Sequence, residues 1–293
     1  MILGGRFARV KYDSFNENHK TGARSANTYI TKSKFSPYAG LTWDFLKDHS
    51  WYVSYAEIFK PQSATDANKN VLEPVVGYNV ETGVKSEFLG GALNTAVALF
   101  QIIQENRAIT DPNNSNYSIA EGKVRSRGID AEISGSITER WSVMAGYTFN
   151  KSEYLKSERK TSSNVDYNKG ADAKKYIPRH MFKLYTSYEI PLVGTQKLSI
   201  GTGVRYQSKT SGIYMKDNMS SGSAIKYYVP EQKGYALWDA NINYLINDNF
   251  SVGLIVKNIT DKKYFYNTHN RTAGMNNFYG EPRSFMLSFN YKY

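Results

Sequence analysis

The last ten residues, SFMLSFNYKY (284–293), set Phe285, Leu287, Phe289, Tyr291 and Tyr293 against Met286, Ser288, Asn290 and Lys292. Successive side chains of a strand point to opposite faces, so this spacing describes a strand with one apolar face and one more polar face. The same period of two recurs along the chain. GYNVETGVKSEF (77–88) puts Tyr78, Val80, Thr82, Val84 and Phe88 on one side. RWSVMAGYTFN (140–150) does so with Trp141, Val143, Ala145, Tyr147 and Phe149, KLSIGTGVRYQ (197–207) with Leu198, Ile200, Val204 and Tyr206, and FSVGLIVK (250–257) with Phe250, Val252, Leu254 and Val256. About twelve strands are expected by this criterion. They cover 2–12, 34–45, 50–59, 77–88, 91–104, 122–135, 140–153, 179–190, 196–208, 235–246, 250–259 and 281–293. The fifth, GALNTAVALFQIIQ, is apolar at both parities and its faces stay unassigned.

The connections are sorted. Short turns (LKDH, LGG, SITE, PLVGT, NDN) follow the even strands, and long polar connections (13–33, 60–76, 105–121, 154–178, 209–234, 260–280) follow the odd ones. In an up-and-down meander, alternate connections lie at the same end. The pattern predicts an antiparallel, all-β transmembrane barrel with short periplasmic turns and long outer loops. A strand of about ten residues rises roughly 33 Å and, tilted by about 45°, spans an apolar band near 25 Å. Trp43, Phe45, Trp51 and Trp141 stand beside short turns, and Phe59, Phe149 and Phe265 on the loop side. Both positions suit interfacial girdles, where one end of a ring is apolar and the other wet. A mean hydropathy of −0.54 and no long apolar run argue against spanning helices.

The composition removes other chemistries. There are no cysteines, hence no thiolate metal sites, catalytic thiols or disulfides. His19, His49, His180 and His269 are the only histidines, and none sits at metal-ligand spacing from another. Glu81, Glu87, Asp130 and Glu132, taken as inward with Lys85 and Arg127, read as mixed charges of a polar lumen rather than acid/base pairs. No Walker spacing occurs; Gly4, Gly5, Gly83, Gly128, Gly146, Gly201 and Gly203 read as inward strand positions where curvature or a lumen occupant needs room. The net charge of +11 gathers with tyrosines on the expected loops, notably Lys156, Arg159, Lys160, Lys169, Lys174 and Lys175 with Tyr154, Tyr167 and Tyr176. On a soluble protein that mixture would suit nucleic acid. On outer loops it suits an anionic chelate or lipopolysaccharide phosphate.

Several stretches in order resemble the TonB-dependent siderophore receptors: VSYAEIFKPQ (53–62), LEPVVGYNVETGVKSEF (72–88), ALNTAVALFQIIQENRA (92–108), VRSRGIDAEISGSITERWSVMAGYTF (124–149), IPRHMFKLYTSY (177–188), VKNITDKKYF (256–265) and YGEPRSFMLSFNYKY (279–293). The likeness is greatest to receptors for ferric siderophores of the hydroxamate and pyoverdine kinds.

The resemblance implies a 22-stranded barrel with a plugged lumen in the outer membrane of a Gram-negative bacterium. Residues 1–293 would supply about twelve C-terminal strands, with the leader, TonB box and plug missing, so a fragment is expected. It further implies uptake of a ferric siderophore energised by the TonB complex, with no enzymatic step. No cofactor is implied, because iron arrives chelated. The implied partners are the siderophore, TonB, outer-membrane lipid and lipopolysaccharide, and the barrel-assembly machinery, with no nucleic acid. The alternation of Phe285, Leu287, Phe289, Tyr291 and Tyr293 resembles the terminal signal by which such barrels are recognised for assembly. Loop position nominates Tyr117, Tyr154, Tyr167, Tyr214, Tyr227 and Arg271 for ligand contact. Two rivals carry opposite expectations: a free-standing barrel lipase using His180 with a serine, and a soluble β-sandwich that buries both sheet faces.

Overall fold

A computed structural model describes residues 1–111, 114, 116–157, 169–211, 231–267 and 278–293, with the backbone alone for 12–16, 24–31 and 267. The described residues form sixteen strands: β1 Ile2–Glu17, β2 Arg24–Leu46, β3 His49–Lys60, β4 Val75–Phe88, β5 Leu93–Thr110, β6 Ser118–Thr138, β7 Trp141–Lys156, β8 His180–Pro191, β9 Lys197–Gln207, β10 Thr210–Ser211, β11 Glu231–Gln232, β12 Tyr235–Asn247, β13 Phe250–Lys257, β14 Phe265–Asn267, β15 Phe278–Tyr279 and β16 Ser284–Tyr291. Twelve of them make one antiparallel sheet in the order β1-β2-β3-β4-β5-β6-β7-β8-β9-β12-β13-β16. Chain order is sheet order, which is the expected meander. The remaining strands are two small hairpins, β10 with β11 and β14 with β15. One 3₁₀ turn, Leu89–Gly91, links β4 to β5. Among the described residues no helix is long and apolar enough to cross a membrane, which says nothing of a β-barrel.

Several strands run further than the apolar alternation indicates. β2 begins at Arg24 rather than residue 34, and β6 covers Ser118–Thr138 rather than 122–135. The expected long loop at 13–33 is instead paired strand around the turn 18–23, where Asn18 N–H donates to Ala23 O at 2.9 Å and Gly22 takes a positive φ. Likewise the connection after β5 is only 111–117. Backbone pairing does not need apolar side chains, so a strand continues into polar sequence that hydropathy reads as loop.

The chain clusters into two compact units. The first comprises residues 1–84, 98–128 and 151–173. Its β1–β3 register places Leu3, Phe7, Phe35, Leu41 and Trp43 on one face, with Trp43 opposite Trp51. Trp43 is 63 % exposed, so this apolar face has no protein cover. On the other face the Tyr52 hydroxyl donates to Glu81 Oε1 at 2.6 Å. Val71, Leu72 and Val75 are buried, as are Ala98, Ile103 and Val124 of the same unit. Gln62 pins the segment 61–74: its Nε2 donates to Asn106 O at 2.7 Å and to Glu73 O, and its Oε1 accepts from Ala108 N–H at 3.1 Å. The faces of β5 are settled at Val97 and Leu99, both exposed, around the buried Ala98. Arg127 shares strand parity with Ile129, not with Asp130 and Glu132, so it lies on the face opposite those carboxylates.

The second unit comprises residues 85–97, 129–150 and 174–293. Here the register fixes both faces. One row reads Tyr147–Phe182–Tyr206–Ala236, another Trp141–Tyr188–Ile200–Ile242–Leu254–Leu287, and the apolar side chains are largely exposed. The opposite face carries Ser142, Ser187, Gly201 and Asn241 along one rung, which ends in Ile255 and Met286, and Ser199, Asn243, Gly253 and Ser288 along the next. A sheet with oily residues outward and polar ones on the other side suits a lipid-facing wall. It is the reverse of a sandwich, whose inner faces would be dry. At β16 exposure alone does not separate the faces, since Phe285 and Met286 are both open. Cross-strand register does so: Phe285 pairs with Val256 and Leu287 with Leu254, whereas Ser288 pairs with Gly253. Past β16, Lys292 is tied to Asn249 by two hydrogen bonds, leaving Tyr293 beyond the pairing.

Candidate functional site: a cationic and aromatic cup

The polar face of the second unit is built in rungs. Met181, Gln207 and Tyr235 form one, Lys183, Arg205 and Leu237 the next, and Tyr185, Gly203 and Asp239 the third. The first two rungs, with Tyr206, Tyr264 and Tyr266, line a cavity of about 180 Å³. Leu237, Tyr235 and Tyr264 are buried and form its apolar floor. The Tyr235 and Tyr264 rings lie 4.5 Å apart, tilted. A Cβ on Gly280 would collide with the Tyr264 ring, so the absence of a side chain there sets the ring's seat.

The electrostatics of the cup are unbalanced. Lys183 stands directly opposite Arg205, and like charges across a strand pair repel. Arg205 Nη2 is met by Asp239 Oδ2 at 3.0 Å. Lys183 forms no ion pair with a described residue. One carboxylate therefore stands against two cations, paired with Arg205 alone, beside four tyrosines.

A clamp holds the cup's rim. Asn258, 3 % exposed and at φ 49°, donates from Nδ2 to Lys262 O and Glu281 O, both at 3.0 Å. Its Oδ1 accepts from Lys262 N–H at 2.8 Å, and its own N–H donates to Asp239 Oδ1 at 2.8 Å. Asp261 Oδ1 accepts from Arg283 N–H at 3.0 Å. A line of contacts thus runs from Arg205 through Asp239 to the segments that carry Tyr264 and Gly280. VKNITDKKYF contributes through this framework, which hangs on its buried asparagine, Asn258. Lys183, Arg205, Tyr235 and Leu237 lie in strands, where loop position gave no signal, whereas Tyr264 and Tyr266 fall within the expected connection 260–280.

The nominated loop residues fall elsewhere. Tyr117 is half-buried in the connection 111–117, its N–H donating to Asn114 O at 3.0 Å. Tyr154 is not in a loop but in β7, because the strand continues to Lys156; its N–H donates to Ala171 O at 3.0 Å. Both belong to the first unit. Tyr167, Tyr214, Tyr227 and Arg271 lie outside the described residues, as do much of the long polar connections. His180 sits on the apolar face, where its ring Nδ1 is 2.9 Å from the Tyr147 hydroxyl and its centroid 5.0 Å from that of Phe149. Its ring partner is thus a phenol and not a serine. Among the described residues no group of three or more His, Cys, Asp or Glu could hold a metal ion.

The family model for TonB dependent receptor-like β-barrels matches residues 1–259. This chain belongs to the TonB-dependent receptor β-barrel family. Members of that family are outer-membrane β-barrels of Gram-negative bacteria. The ferric-pyoverdine M114 receptor PbuA of Pseudomonas sp. (strain M114) is 34 % identical over 98 % of the chain, and the ferripyoverdine receptor of Pseudomonas aeruginosa is 32 % identical over 98 %. The chain spans about a third of the length of these relatives, 33 % of each. The solved structure of the pyoverdine outer-membrane receptor FpvA of P. aeruginosa PAO1, bound to pyoverdine, superimposes with a TM-score of 0.80 at 31 % identity. That match covers 99 % of this chain and 39 % of the solved one.

Proposed function

We propose that this chain is barrel wall of an outer-membrane receptor that imports a ferric siderophore, with the TonB complex supplying the energy. The observation that carries the reading is the two-faced sheet of the second unit. Its outward row Trp141–Tyr188–Ile200–Ile242–Leu254–Leu287 is apolar, and the face behind it carries Ser142, Ser187, Gly201 and Asn241 on one rung and Ser199, Asn243, Gly253 and Ser288 on another. Such a wall serves only where hydrocarbon lies on one side and a hydrated or protein-filled lumen on the other. The names of the relatives make a ferripyoverdine-like chelate the first ligand to try.

In this reading the protein breaks no covalent bond and needs no resident metal, since iron comes already coordinated. Tyr117, Tyr154, Tyr167, Tyr214, Tyr227 and Arg271 supply rings and charge to the incoming chelate. Outer-membrane lipid and lipopolysaccharide surround the wall. The barrel-assembly machinery reads Phe285, Leu287, Phe289, Tyr291 and Tyr293. Nucleic acid is no partner; the positive charge serves anionic ligands and lipid phosphates. The lipase rival is disfavoured by the phenolic partner of His180.

The test is uptake of radioactive iron by cells that make the receptor carrying this chain as their sole siderophore receptor. Iron delivered as ferripyoverdine or a ferric hydroxamate should accumulate, and deletion of TonB or collapse of the proton gradient should stop it. Equal accumulation with and without TonB, or none from any ferric siderophore, would refute the proposal.

A further inference from the structure

The cup on β8, β9 and β12 is an incomplete charge system, and its contents follow from its chemistry. Lys183 and Arg205 face each other across one strand pair, a placement of like charges that repels. Asp239 neutralises Arg205 only, at 3.0 Å. The second cation lies on the wall of a cavity whose floor is Leu237, Tyr235 and Tyr264, with Tyr266 also lining it. A cation held next to buried rings is suited to a group that brings both a negative charge and a flat apolar face. The volume decides how much of a ligand enters. About 180 Å³ is well below the roughly 300–1,000 Å³ of a site that encloses a whole drug-sized molecule. The cup admits one arm of a chelate, not the chelate.

We propose that this cup is a subsite for an anionic aromatic arm, an aryl carboxylate, sulfonate or phosphate, borne by the imported ligand. Lys183 meets the anion, Arg205 adds a second charge while Asp239 holds its guanidinium in place, and Tyr235 and Tyr264 take the ring. The line Arg205–Asp239–Asn258 ties this subsite to the segments carrying Tyr264 and Gly280, so its shape is set before the ligand arrives. The inference rests on the receptor reading for its ligand's origin, but the binding chemistry is tested without it.

The experiment uses the receptor carrying this chain, purified in detergent, and follows phenyl phosphate, benzoate and benzamide by saturation-transfer NMR, with inorganic phosphate, which has no carbon-bound proton, read by its displacement of phenyl phosphate. Phenyl phosphate and benzoate should bind, benzamide should bind at least tenfold more weakly for want of charge, and inorganic phosphate at least tenfold more weakly for want of a ring. Lys183→Met should weaken phenyl phosphate at least tenfold, and Lys183→Arg should restore it. Lys183 is exposed and lies in no described ion pair, so neither variant removes a structural contact. Equal binding by wild type and Lys183→Met, absence of phenyl phosphate binding, or equal affinity for benzamide would overturn the subsite. Iron uptake keeps the two readings apart. Selective binding of phenyl phosphate without TonB-dependent uptake would leave the subsite standing and remove the receptor reading, and the reverse pair of results would do the opposite.

Discussion

The Tyr185 hydroxyl donates to Asn241 Oδ1 at 3.0 Å, and to do so its ring crosses Gly201 on the strand between them. Gly201 pairs with Ser187 on β8 and Asn241 on β12, so one side chain spans three strands on the polar face. A Cβ on Gly201 would lie 3.0 Å from Tyr185 Cζ and closer still to its hydroxyl and to Asn241 Oδ1. Gly201→Val should therefore displace the ring and break the bond. Tyr185→Phe should remove only the bond, at a cost of about 0.5–1.5 kcal/mol. Urea unfolding of the folded receptor in lipid vesicles measures both. Gly201→Val should be the more destabilising, and the double variant should lose little beyond Gly201→Val alone, because the two changes act on one contact.

Asn258 is the most heavily bonded side chain near the cup. Asn258→Ala leaves Lys262 N–H, Lys262 O and Glu281 O without their partner in a buried place, and a cost of about 1–3 kcal/mol is expected. Asn258→Asp keeps the acceptor for Lys262 N–H but turns an oxygen towards two carbonyls, so it should be no better than alanine. Hydrogen exchange locates the effect: the Lys262 amide should lose protection in Asn258→Ala and keep more of it in Asn258→Asp. Unchanged exchange at Lys262 in both variants would contradict the clamp.

Gln62 offers a test in the first unit. Its three hydrogen bonds join the segment 61–74 to the carbonyl of Asn106 and the amide of Ala108. The Lys32–Glu73 pair adds little, since both side chains are substantially exposed. Gln62→Ala should speed exchange of the Ala108 amide and expose 61–74 to limited proteolysis, whereas Lys32→Met should change neither measurably.

The apolar alternation made the meander and its outward face legible from the sequence, because each strand shows one face to hydrocarbon. Trp141, Ile200, Leu254 and Leu287 fall where a period of two puts them. What stayed hidden was set by pairing rather than by side chains. β2 and β6 continue through polar residues because their backbones still find partners, which also moved Tyr154 from loop to strand. The cup was hidden for a related reason. Lys183, Arg205 and Tyr235 are far apart in the chain and each alone is an ordinary inward polar position. Only the register brings two cations opposite each other, and register is not visible in any one strand.

Register also supplies a direct test of the membrane face at the last strand. Leu287 pairs with Leu254 in a row of apolar side chains, and Ser288 pairs with Gly253 on the other face, where its hydroxyl reaches Gly253 O at 3.4 Å. If the first row faces lipid, Leu287→Arg places a charge in hydrocarbon at a cost of about 2–4 kcal/mol near mid-bilayer. Ser288→Arg puts the same charge on the side away from lipid, where water or other polar groups solvate it, and should cost far less. The two substitutions share chemistry, strand and depth within one residue, so backbone and propensity effects nearly cancel in their difference. The measurement is urea unfolding in vesicles, with the amount of heat-modifiable receptor in the outer membrane as a cellular check. Leu287→Arg should unfold at markedly lower urea and reach the membrane in smaller amount. Equal tolerance of the two variants would mean that the oily row does not meet lipid, and the wall would have to be turned inside out.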